Sequence, residues 1–277
     1  MLYNYPVNIT PDNIHEKLID IQTLREVQGK EEETLALIDQ AIPIASQIKD
    51  FDLVAVLYWE YSIVWQHVVM SEIAKSEEDR DQVVLSEALE KMSKYAYDAH
   101  KVIEENKLTE KLPISYRFLG RVSDYNEDFE TSIKHYEKAL ELLPPTSHSI
   151  LEVNGFLSYS LVMKGETEKG VKLAKETFDN YFNSKLGKDL KKEDYFKWSV
   201  WMSGVAPRIL FALDDTDSEY DSEDMKRWLE ATKTELENPT GNITWGDDKF
   251  SFRIEELTVS LGKLAIIVLL PLILKIR

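Results

Sequence analysis

The sequence predicts an all-α protein, and three observations carry that prediction. Apolar residues recur every three or four positions in long blocks, the spacing that gathers them on one face of a helix. Strict apolar–polar alternation, the mark of a half-buried strand, is nearly absent. Ten glycines and nine prolines in 277 residues are too few for the turns of a β-sandwich and suit long helices. Taken in order, the periodicity predicts helices over 12–27, 31–49, 52–74, 81–105, 113–124, 127–142, 148–164, 167–184, 191–212 and 221–236. Gly29 and Gly165 stand where a helix should stop, and Pro144–Pro145 cannot continue one, because the ring removes an amide donor and restricts the residue before it. Pro43 and Pro207 fall inside periodic blocks and are expected to bend them. The breaks are short, so successive helices are expected to pair as antiparallel hairpins.

Composition removes several classes of function. An apolar content of 43% suffices for a substantial core. Thirty-three basic against fifty acidic side chains leave a net charge of −17, which repels phosphate backbones, so no nucleic-acid partner is expected. The chain has no cysteine, hence no disulfide, thiolate nucleophile or thiolate metal site. Met1 to Pro11 has neither a basic start nor an apolar run, so a cytoplasmic location is expected. No nucleophile elbow, phosphate-cradling loop or dinucleotide fingerprint occurs. His15–Glu16 lacks the second histidine one turn on that a zinc pair needs. In the acidic run Asp214 to Asp224, Tyr220 and Lys226 occupy the places of the glycine and the bidentate glutamate of a calcium loop. Neither catalysis, a metal nor a cofactor is expected.

Self-similarity is the most informative feature. Pro113–Thr146 carries Tyr116, Leu119 and Gly120, then Ser132, Tyr136 and Ala139, then Pro144. Small residues at 120, 132 and 139 suit helices whose axes approach to about 8–10 Å. A second, looser copy over 151–184 has Leu157, Ser158 and Leu161, then Gly165, then Gly170 and Ala174. This order resembles the tetratricopeptide repeat family, whose helix–turn–helix unit is about 34 residues long. The resemblance implies a right-handed superhelical solenoid of antiparallel hairpins, about five of them within 1–248, followed by a C-terminal helix within 249–277. It also implies a non-enzymatic scaffold whose first helices line a concave groove for a peptide or a helical segment of another protein.

Transferred onto the best-matched unit, that groove is lined by Arg117 and Arg121, a fork suited to a carboxylate; pairing of these arginines with Asp124 or Glu152 inside the chain is the other reading. Tyr159 occupies the corresponding place in the second copy. Trp59, Gln66 and His67 earlier in the chain, and Trp201 and Arg208 later, complete the expected partner-binding set. The family's clamp for acidic C-termini is not expected, because Phe156 stands where it needs an asparagine.

From Leu264 to Leu274 eleven consecutive residues are uncharged, and Lys275 and Arg277 follow. A run this short packs on a core more readily than it spans about 30 Å of hydrocarbon, yet counting back to Leu257 brings it to about twenty residues. Two readings stand: a helix capping the last hairpin, or a tail anchor that makes the same scaffold a membrane adaptor or receptor through residues 257–277.

Overall fold

The computed structural model describes residues 9–147, 149–183, 203–210, 222–238 and 251–274, and their side chains except those of 181–183, 222, 251–252 and 265–274. Every regular element among the described residues is a helix. In order they are α1 (Ile14–Leu24), α2 (Glu31–Gln47), α3 (Phe51–Ala74), α4 (Gln82–Glu105), a 3₁₀ turn (Thr109–Lys111), α5 (Leu112–Tyr125), α6 (Phe129–Leu142), α7 (Ser149–Met163) and α8 (Thr167–Asn183). A helical segment over 203–210 follows, then α9 (Ser222–Glu237) and α10 (Ser251–Leu274). The rest of the helix expected over 191–212 lies outside the described residues.

Two local devices write the boundaries. Asp50, Asp81 and Asp128 cap α3, α4 and α6, their carboxylates accepting from the amides of Leu53, of Val83 and Val84, and of Thr131; each satisfies donors that the first turn leaves unpaired. At the other end, α2, α4 and α7 close by one bonding pattern. Lys49 donates to the Ser46 carbonyl and Asp50 to that of Ala45, Lys107 to Glu104 and Leu108 to Ile103, Gly165 to Val162 and Glu166 to Leu161, the paired bonds of a Schellman end. The pivot residue is left-handed in each case: φ is 59° at Lys49, 56° at Lys107 and 93° at Gly165. Glu127 after α5 has φ 59°.

The Asp128 cap gives a pH-dependent prediction. The Thr131 hydroxyl, then its amide, bond the carboxylate and hold its pKa below the usual aspartate range. A folded pKa below the unfolded one gives stability that is complete above about pH 3.9, the unperturbed aspartate value, and is lost as pH falls through the folded value. Asp128→Ala is therefore expected to lower the melting temperature at pH 7, with the deficit shrinking below about pH 4, as read by helical circular dichroism.

The chain divides into two compact units, 1–127 and 128–277, and the division falls in the turn after α5, inside the span 113–146 that carries the clearest repeat signature. In the first unit α3 is the central element, packing along α4 and also against α2 and α1. One side of α3 closes a core with α1 and α2 that contains Ile21, Ile38, Ala41, Leu53, Leu57 and Val64. The other closes a core with α4 and α5 that contains Trp59, Met92, Ala96, Ala99, Phe118 and Leu119. Small residues on α4 let the helices approach, and the Ser62 hydroxyl donates to the Met92 carbonyl across the seam at 3.0 Å.

In the second unit α6 packs on α7, α7 on α8 and α9 on α10. Tyr136, fully buried, stacks on Phe156 with centroids 6.0 Å apart, and the Ser132 and Ser160 hydroxyls meet at 2.8 Å. Phe178 of α8 stacks on Trp228 of α9 at 4.4 Å, and Arg227 bonds Asp179 at 2.7 Å beside that stack. Along α10, Leu257, Ser260 and Leu264 are buried, one turn apart. Among the described residues no helix is long and apolar enough to cross a membrane; beyond Leu264 the apolar run lies outside the described side chains.

Candidate functional site

In the first unit α1, α3 and α5 stand side by side. His15 at the start of α1 lies 3.2 Å from Asp50 at the start of α3, and ten residues along α3 Glu60 accepts from Gln22 at 2.8 Å, so α1 and α3 run in the same direction. On the opposite flank Trp59 stacks on Phe118 of α5, centroids 5.2 Å apart and planes 6° from parallel. Lys111 pairs with Asp52 at 3.0 Å on the same flank.

A buried polar network joins α1 to α3. Glu60, 3% exposed, receives the Gln22 amide and the Arg25 guanidinium. Arg25 also bonds Glu26 at 3.2 Å, and the Arg25 carbonyl lies 3.1 Å from His67 Nδ1. Burial works against the Arg25 charge, but Glu60 and then Glu26 outweigh it and raise the pKa. A lone carboxylate in so apolar a helix would be costly unpaired, and this arrangement is what makes it tolerable.

The expected binding residues fall into two groups. In the first unit Trp59, His67 and Arg121 are buried, whereas Gln66 and Arg117 are half-buried. Arg117 lies over the Phe118 ring at 4.3 Å, so it and Trp59 share one aromatic neighbour. Gln66 donates to the Met70 thioether at 3.7 Å. Arg121 lies 3.4 Å from the Asp124 carboxylate and 3.2 Å from the Tyr125 hydroxyl. In the second unit Tyr159, half-buried, meets Phe129 edge-on at 6.0 Å, and Arg208 lies over its ring at 5.9 Å. Two residues far apart in sequence thus come together there. Trp201 lies outside the described residues.

Sequence reasoning missed Glu60, Arg25 and Gln22, although a glutamate amid the apolar run of α3 was a visible signal. Among the described residues no group of three or more histidine, aspartate or glutamate side chains is placed to hold a metal. No protein-family model matches the chain, and no curated protein does.

Proposed function

We propose that the chain is a non-catalytic helical-repeat scaffold of the tetratricopeptide type, a right-handed solenoid of hairpins that binds a peptide or helical segment of another protein. The observation that carries this reading is the row of α1, α3 and α5 in the first unit: every second helix along the sequence lies beside the last, with α2 and α4 packed between them in sequence. A row of that kind presents one continuous wall of side chains, the surface on which such scaffolds hold a partner. The half-buried Gln66 and Arg117 line that wall; in the second unit, taken by itself, Tyr159 and Arg208 are the proposed partner contacts. The same reading places the protein in the cytoplasm, with α10 as the cap that hides the apolar face of the last hairpin.

Arg117 gives the most direct test. Arg117→Glu reverses a charge on a half-exposed side chain and is expected to reduce partner capture from cell extract at least fivefold, while the helical circular dichroism is retained. Equal capture by the parent and the variant rejects Arg117 as a contact, and loss of capture together with loss of helicity rejects the reading of that loss as a binding effect. Alkaline extraction of the full chain from membranes tests the cap: release into the supernatant is expected, and retention with the lipid favours a tail anchor.

A further inference from the structure

We draw no further inference here: the strongest candidate, the Trp59–Phe118 stack between α3 and α5 with Lys111 over the indole and Arg117 over the phenyl ring, belongs to the site already described.

Discussion

Arg25→Met is expected to lower the unfolding free energy by about 3–5 kcal/mol, the range for removing one partner of a buried ion pair. The Glu60 side chain is 4% exposed and that of Arg25 19%, so water does little to replace the guanidinium. Gln22 remains as a donor, but one neutral hydrogen bond is worth about 0.5–1.5 kcal/mol net and does not offset a stranded carboxylate. The decisive comparison is Arg25→Met combined with Glu60→Leu. Removing both charges together is often neutral or stabilising, so the double variant is expected to recover most of the loss in urea titrations. A double variant as unstable as Arg25→Met alone shows that Arg25 acts through packing, and that Glu60 is not the stranded group.

Gly170→Ala is expected to destabilise the second unit by about 1 kcal/mol net, against the ordinary preference of helices for alanine. That preference favours alanine over glycine by about 1 kcal/mol in a helix interior. Here a Cβ on Gly170 would lie 2.6 Å from the Ser158 carbonyl oxygen and 2.6 Å from the Val162 side chain. The carbonyl belongs to α7 itself and cannot swing aside, so α8 must move off α7, at about 1–3 kcal/mol or more for an overfilled contact. Thermal melts of Gly170→Ala and Gly170→Ser should both show the loss, serine more strongly. A melting temperature equal to or above the parent's means that α7 and α8 do not approach this closely at Gly170.

These two sites differ in how readable they were. Gly170 and Ala174, four residues apart in an amphipathic block, signal a close helix contact, and Ala174 is indeed fully buried. Helix positions were legible for the same reason: periodicity is written by burial on one face, so the predicted spans over 31–49, 52–74 and 167–184 differ from α2, α3 and α8 by no more than two residues at either end. The pairing of Arg25 with Glu60 was not legible, because it depends on which turn of α1 lies beside which turn of α3, a register that no local pattern encodes. Nor was the meeting of Tyr159 with Arg208, a contact across 49 positions of chain. For the expected binding set, residue type alone did not separate side chains lying inside the core from those on its edge. Trp59, His67 and Arg121 are buried, and Gln66 and Arg117 are half open.

The joints after α2, α4 and α5 have a consequence for the latitude of the chain under mutation. Lys49, Lys107 and Glu127 occupy a backbone basin that an L side chain enters at about 1 kcal/mol or more, and that glycine enters freely. Among the described residues glycine takes that basin at Gly29, in the turn after α1, and at Gly165, after α7. Three positions thus hold an undrawn reserve: single exchanges there can offset losses incurred elsewhere, so other positions are free to vary without the architecture giving way.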